Sequence, residues 1–405
     1  MKHYPYVIVG ASIAGLSAAG AIRSRGSTGL ILLVHGENHL PYKRTQLSKQ
    51  LARGFSGEEL AIHAEEWYPA NKIALLQGTR AVSVEPSSRE LFLSTGEVIG
   101  YESLLIATGA APAILDIPGA QHLNYLRWID QAEVMAQRLG VIGTAISVGF
   151  GVQGIELADQ FSSAGIGTSL VGRQDILMAG YVDPNASQRL EKRICAAGVD
   201  VLRWGRILEI QRKSGRYRLI AQGGEIDSEM VTVSVGATSM IDLAVSAGIP
   251  LQNDKRHGVK VQRDMKTGVE GIYAAGDCAA ALPGTSWGLW HSAENVGMIA
   301  GINMAGGDLR PEPRPHRLKC EAFGGYLFSL NYDSVSSDER AEPRVLCNTP
   351  NLYLRVWERE GHSAGAVLDM YPNPGPSLVK PLGKHLEKLV LEGAKAKDIP
   401  QALGI

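Results

Sequence analysis

A short apolar strand, a glycine-spaced turn and a helix occur twice in this chain, and beyond residue 310 the texture changes to alternating strands closed by a helix. These three observations predict an α/β fold: two Rossmann-like dinucleotide-binding domains plus a small C-terminal α+β domain. The length of 405 residues, too great for one ordinary core, agrees.

Each element follows from its local pattern. Tyr6-Val7-Ile8-Val9 is an unbroken apolar run, as a buried parallel strand requires. Gly10-Ala11-Ser12-Ile13-Ala14-Gly15 turns the chain, Leu16 to Arg25 reads as an alanine-rich helix, and Gly29 to Val34 is the second strand. Between Thr79 and Leu105 short alternating runs broken by Ser87-Ser88 and Gly96 predict hairpins or a β-meander, ending in Ala107-Thr108-Gly109. The second unit runs from Ala145–Val148 through Gly149-Phe150-Gly151-Val152-Gln153-Gly154 into a helix, Ile155 to Ala164, and a strand, Thr168 to Val171. Two further short strands are expected at Val231–Val235 and Gly271–Ala275. Pro311, Pro313 and Pro315 alternate with charges and mark a linker or extended crossover. Strands at 353–357 and 365–368 and a helix from Leu378 to Glu392 follow. Domains are expected at 1–112 with 239–310, at 113–238, and at 311–405.

Composition excludes several classes. A net charge of -1 gives no field for nucleic acid or a membrane surface. No apolar run approaches a membrane span, no signal segment is separable before the first strand, and a cytoplasmic protein is expected. Cys195, Cys278, Cys320 and Cys347 form no C-x-x-C pair and no metal-ligand spacing, so no metal is expected, and all four read as small buried hydrophobes of a reducing compartment.

The chemistry lies in the turns. Gly10-x-Ser12-x-x-Gly15 is a dinucleotide fingerprint with serine in the middle place, small enough for a pyrophosphate to approach the backbone at a helix N-terminus. An ordinary glycine-rich turn reads the same way. Glu37 lies just past the second strand, where an acid binds ribose hydroxyls, and Gly36 takes the place of an earlier acid. Gly149-x-Gly151-x-x-Gly154 is complete and sits between a strand and a helix. After its second strand the chain offers Val171-Gly172-Arg173 in place of the acid of an NAD site; this favours NADPH over NADH, although a plain surface cation fits the same position. Two dinucleotides in one chain point to a hydride donor beside a flavin.

These residues resemble a known family. The two fingerprints, Ala107-Thr108-Gly109, and Gly271-Ile272-Tyr273-Ala274-Ala275-Gly276-Asp277 look like the two-dinucleotide flavoprotein reductases of the pyridine nucleotide-disulfide oxidoreductase superfamily. Pro41-Tyr42-Lys43-Arg44 and Leu47-Ser48-Lys49 narrow this to the non-disulfide NAD(P)H:ferredoxin/rubredoxin reductase branch, with nitrite-reductase-like flavoproteins and relatives of apoptosis-inducing factor. The resemblance covers about residues 4 to 310 and is weaker beyond. It implies FAD on residues 1–112 and 239–310, held by Gly10, Ser12, Ala14, Gly15, Glu37, Arg44, Lys49, Ala107, Thr108, Gly109, Gly276, Asp277 and Trp290. Asp277 would accept from the ribityl chain, and a helix N-cap is its alternative. Trp290 would flank the isoalloxazine, or lie in the core. The nicotinamide nucleotide would lie on residues 113–238 with Gly149, Gly151, Gly154, Glu156 and Arg173. By the same resemblance Lys49 pairs with Glu156 close to the flavin, and these two are the expected catalytic groups; an exposed helical carboxylate is the alternative for Glu156.

The chain departs from the family pattern in places. Lys43-Arg44-Thr45-Gln46-Leu47-Ser48-Lys49 stands where members often read Asp-Arg-Pro-Pro-Leu-Ser-Lys, Ala111 replaces a frequent arginine, and Asn295-Val296 replaces Glu-Gln. No cysteine lies in 45–49, which excludes disulfide and single-cysteine redox chemistry. The implied partner is a small ferredoxin- or rubredoxin-type electron carrier. Lys43, His291 and the run Arg314, His316, Arg317, Lys319 could offer it positive charge, although a solvated linker describes that run as well. Two alternatives stand: a reductase component of a nitrite-reductase-like or oxygenase complex, and a flavin-bound interaction protein. Oligomeric state is not readable.

Overall fold

The structure is a computed structural model and describes residues 1–252, 258–282, 287–312 and 314–405, so Pro313 lies outside the described residues. Packing divides the chain into two compact units. One comprises Met1–Gln46, Phe55–Pro112 and Gly236–Arg314; the other comprises Leu47–Gly54, Ala113–Val235 and Pro315–Ile405.

In the first unit a seven-stranded sheet is the centre. Ile73–Leu76, Ile31–Val34, Lys2–Val9, Val98–Ile106 and Ile272–Ala274 run parallel in that spatial order. Glu90–Leu93 and Ala81–Glu85 then continue antiparallel from Val98–Ile106, as the expected meander. Both faces of the parallel strands are covered at their carboxyl ends, which is why residues 7–9, 31–34, 104–106 and 272–274 are continuously apolar. Val7, Val9, Leu32, Leu104 and Ile106 enter one core, with Leu243 and Val259. Ile8, Leu33 and Leu105 enter the other, beneath the helices Ile13–Ser24 and Trp290–Met304. Those two helices meet at backbone distance. A Cβ on Gly297 would lie 2.2 Å from the carbonyl oxygen of Ala14, and one on Gly301 2.2 Å from that of Ala18.

In the second unit Asp200–Arg203, Gly167–Gly172, Thr144–Val148 and Met230–Val233 form a parallel sheet. An antiparallel meander of Ile207–Lys213, Arg216–Ala221 and Gly224–Ser228 interrupts the chain before its last strand, an element the sequence reading did not anticipate. The C-terminal region is an antiparallel sheet in the order Arg317–Ala322, Gly325–Leu330, His362–Met370, Leu352–Arg359, Ala341–Asn348, packed against the helix Pro376–Leu391.

Residues 113–235 and 315–405 are one unit because they share a core. Phe150, Ile155, Leu170 and Leu190 pack with Cys320, Leu327, Tyr353 and Trp357. Within that unit fully buried Asp369 accepts from Arg189 at 2.8 Å and from Arg193 at 2.9 and 2.7 Å. Two sequence expectations need correction. The run at 314–319 is not simply a solvated linker: strand structure begins at Arg317, which pairs with Glu387 at 2.7 Å, and Lys319 is half-buried. Only Cys278 and Cys320 are buried; Cys195 is exposed and Cys347 half-buried, because a helix end and an edge strand place them at the surface. Among the described residues no helix is long and apolar enough to cross a membrane.

Candidate functional site

In the first unit the motifs far apart in sequence meet because each follows a neighbouring parallel strand. The turn from Gly10 follows Lys2–Val9, Ala107-Thr108-Gly109 follows Val98–Ile106, Gly276-Asp277 follows Ile272–Ala274, and Glu37 follows Ile31–Val34. The carboxyl ends of open parallel sheets are where such folds bind ligands. The segments are tied together: Ala107 N–H donates to Val9 O at 2.8 Å, and Ala275 N–H to Ile106 O at 3.1 Å. Gly10 has φ +109°, and a Cβ there would lie 2.1 Å from Ala107 O. A Cβ on Gly15 would lie equally close to Gly10 O, at 1.9 Å.

The helix that follows begins at Ile13 with Ser12 as an extended N-cap whose side chain makes no capping hydrogen bond, and its first turn holds no acid. Its leading N–H groups are thus left for an anion. Ala14 lies in that first turn, with its side chain buried and its Cβ 2.9 Å from where a Cβ on Gly276 would be. Ala14 sets the close approach of helix and strand end. The Thr108 hydroxyl donates to Met240 O at 2.7 Å. Asp277 is fixed through its carbonyl, which accepts from Ser239 Oγ at 2.7 Å and Trp287 Nε1 at 2.9 Å, while its Oδ1 accepts from Gly288 N–H at 3.2 Å. A recess here is lined by Gly276, Asp277, Ala280, Trp287, Ser292 and Ala293. Trp290 stands half-buried at the start of its helix, outside the core.

Glu37 and Arg44 form an ion pair, and Glu37 also accepts from the Tyr42 hydroxyl at 2.7 Å. The Arg44 guanidinium donates to the same hydroxyl at 2.9 Å and lies over the Tyr42 ring. The sequence reading gave Glu37 and Arg44 separate tasks; the fold makes each the other's partner. Nearby His35 is 3% exposed, and burial pushes its imidazole down to about 4, so it is neutral.

In the second unit the complete fingerprint has the same construction. Gly149, at φ +123°, would place a Cβ 2.2 Å from Ser234 O, and Gly154 would place one 2.1 Å from Gly149 O. Gly151 differs: no atom lies within 4 Å of its Cβ position. Packing accounts for the first and last glycines but leaves the middle one facing open space, as the approach of a pyrophosphate requires. Gly151 is the N-cap of Val152–Ser163, again with no side-chain cap and no acid in the first turn. Beyond the next strand Arg173 is exposed.

The helix Val152–Ser163 also carries Glu156. Glu156 is 4% exposed and not an exposed helical carboxylate. Its Oε1 pairs with Lys49 Nζ at 2.9 Å, and its Oε2 accepts from Ser48 Oγ at 2.5 Å. Both donors come from the short helix Leu47–Gln50, which packs within the second unit. Burial pushes the Glu156 carboxyl up, against the opposing pull of Lys49 and Ser48. Burial alone would lower the Lys49 ammonium, but pairing with Glu156 overrides it and the net shift is upward. The Cys320 thiol lies beside the pair, pushed up by burial and by Glu156, and is therefore unreactive. Ser48 and Tyr42 escaped the sequence reading. Each sat within a quoted motif, but nothing local marked its hydroxyl as a donor to a distant carboxylate.

The family of pyridine nucleotide-disulphide oxidoreductases matches residues 4–297. The chain belongs to that family. As a member it is an NAD(P)H oxidoreductase, and the family implies FAD and a nicotinamide nucleotide. The uncapped helix starts and the open face at Gly151 fit both groups. No two of the chain's four cysteines stand at the C-x-x-C or C-x-x-x-x-C spacing of a redox dithiol. A rubredoxin-NAD(+) reductase from Pseudomonas putida is 30% identical over 84% of this chain and 91% of the relative. The ferredoxin–NAD(+) reductase component of a p-cumate 2,3-dioxygenase system, also from Pseudomonas putida, is 32% identical over 74% of each. Among solved structures, a ferredoxin reductase from Rhodopseudomonas palustris superimposes with a TM-score of 0.84 at 24% identity, over 98% of this chain and 100% of that one. Putidaredoxin reductase in its covalent complex with putidaredoxin gives 0.82 at 22% identity, over 100% and 99%. These likenesses show the fold.

Proposed function

We propose that this oxidoreductase takes reducing equivalents from a nicotinamide nucleotide and delivers them singly to a small iron–sulfur or rubredoxin-type protein. The observation that carries the reading is the duplicated fingerprint, each copy opening a helix with free N–H groups. Bound FAD supplies the conversion between a two-electron donor and one-electron acceptors. Gly10, Ser12, Gly15 and the Ala107–Gly109 turn would hold its pyrophosphate side, and Asp277 its ribityl hydroxyls. Trp290 would flank its ring. Glu37, already balanced by Arg44, keeps lone pairs for ribose hydroxyls. Gly149, Gly151 and Gly154 would hold the nicotinamide nucleotide. The half-buried Lys49 and the buried Glu156 present a mutually neutralising pair on the same unit, able to orient the nicotinamide amide without leaving a net charge.

NADPH is the preferred donor in this reading. The strand Gly167–Gly172 ends in Gly172-Arg173 without an acid to repel a 2′-phosphate, and Arg173 is exposed with no ion pair of its own among the described residues. A charge-assisted hydrogen bond contributes about 1.5–3 kcal/mol, so Arg173→Ala should weaken NADPH by roughly ten- to hundredfold and leave NADH almost unchanged. Stopped-flow flavin reduction against nucleotide concentration measures this; equal effects on both nucleotides would refute the preference. A screen of purified ferredoxins and rubredoxins then tests the acceptor, and rapid flavin reduction without turnover of any of them counts against a carrier-protein partner. The dioxygenase-system relative favours a second reading, in which the chain serves as the reductase component of an oxygenase. Co-purification with a terminal oxygenase or its ferredoxin separates that reading from a free-standing reductase.

A further inference from the structure

The family motif includes Ser48 between Leu47 and Lys49, but the resemblance gives a role only to Lys49 and Glu156. Ser48 is 6% exposed, and its hydroxyl donates to Glu156 Oε2 at 2.5 Å. Lys49 Nζ holds Oε1 of the same carboxylate at 2.9 Å. Adjacent residues of one short helix thus face one oxygen each; Oε1 accepts no hydrogen bond among the described residues, so the Ser48 hydroxyl is what adds a directional contact to the ion pair. A single ion pair would leave it free to rotate about its terminal torsion.

We propose that Ser48 is a positioning residue: it locks the Glu156 carboxylate in the charged, oriented form in which it faces Lys49 and a bound nicotinamide. The role in nicotinamide binding rests on the functional reading above; the control of the carboxylate does not.

The surroundings make this lock consequential. The helix bearing Glu156 packs against Thr144–Val148, Gly167–Gly172, Leu47–Gln50 and Arg317–Ala322. The first two strands carry no titratable side chain. Lys49 faces Glu156 from the third. From the fourth, Glu321 and the Cys320 thiol act on it, while Lys319 acts on Lys49. On its own helix Asp159 lies one turn away, near Lys49. Glu321 and desolvation favour the protonated carboxyl; only Lys49 and Ser48 oppose them. A hydroxyl donor removed from this balance leaves one buried oxygen unsatisfied, and the proton is the available substitute.

The experiment uses the FAD-loaded full chain in wild type, Ser48→Ala, Ser48→Cys and Ser48→Thr forms. The carboxyl band of Glu156, assigned by its loss in Glu156→Gln, is titrated by difference infrared spectroscopy, and flavin reduction is followed over the same pH range. Ser48→Ala should raise the proton affinity of Glu156 about tenfold, moving its titration and the acid limb of the reduction profile up by about one pH unit. Ser48→Thr, which keeps the hydroxyl, should restore both. Ser48→Cys, a weak donor of similar size, should behave like alanine and serves if the alanine form folds poorly. Superimposable carboxyl titrations in wild type and Ser48→Ala overturn the proposal. Failure of both nucleotides to reduce the wild-type flavin instead overturns the functional reading, and the infrared titration still judges Ser48.

Discussion

Glu156 and His35 are both buried titratable groups that desolvation pushes toward their neutral forms, and they differ in what opposes that push. Glu156 has Lys49 and Ser48. The His35 Nε2 has no hydrogen-bond partner among the described residues, so burial keeps the ring neutral, down to about 4. Glu156→Ala should slow flavin reduction by roughly tenfold or more while FAD content stays near wild type, since about 1.4 kcal/mol at the barrier is tenfold in rate. Unchanged reduction kinetics would mean that the nicotinamide does not use this carboxylate. For His35 the folded value lies below the ordinary one, so the unfolded chain binds the proton more readily. Stability from this group is full at neutral pH and declines as pH falls from about 6.5 toward 4. Wild type should lose about 2–3 kcal/mol more than His35→Gln between pH 7 and pH 4.5, read from urea midpoints at each pH. Parallel losses in the two proteins would place the destabilisation elsewhere.

At the scale of elements, the first fingerprint depends on a helix crossing that no glycine motif announces. Ile13–Ser24 and Trp290–Met304 touch where Gly297 and Gly301 meet the backbone of Ala14 and Ala18. Gly297→Ala must push the start of the first helix away from its strand, and overpacking of this kind costs about 1–3 kcal/mol. The outcome should be a lower melting temperature together with weaker FAD retention. Gly301→Ala, one turn farther from the fingerprint, should lower the melting temperature but release less flavin. Equal flavin loss in both would show that the crossing supports the helix as a whole and not the turn.

At the scale of the whole molecule, the second unit is held by a shared core and a buried charge cluster, and its C-terminal part is therefore no appendage. Asp369 is fully buried between Arg189 and Arg193. Asp369→Ala leaves Arg193 without its acceptor, while Arg189 keeps the carbonyls of Thr349 and Pro350; loss of one partner in a buried pair typically costs about 3–5 kcal/mol. Urea unfolding of the variant should show that loss, and added salt should not restore it; a change below about 1 kcal/mol would mean that the arginines find other acceptors.

The sequence by itself determined the strands and turns of the two βαβ units, though not the meander of Ile207–Lys213, Arg216–Ala221 and Gly224–Ser228, and pointed to two dinucleotides. These features are local: a strand buried on both faces must be apolar throughout, and a turn against a neighbouring backbone must lack a Cβ. The paired meanings of Gly10 with Ala107, and of Gly149 with Ser234, lie in that same steric rule. Beyond the Lys49–Glu156 pair, which the family resemblance implied, only the tertiary structure decided which groups meet. Glu37 found Arg44, Glu156 found Ser48 together with Lys49, and Asp369 found two arginines. It also merged residues 315–405 with 113–235 into one unit. The physical reason is common to all four. A carboxylate's partner is set by which groups share its desolvated space, and that is fixed by packing between segments whose separation along the chain carries no signal.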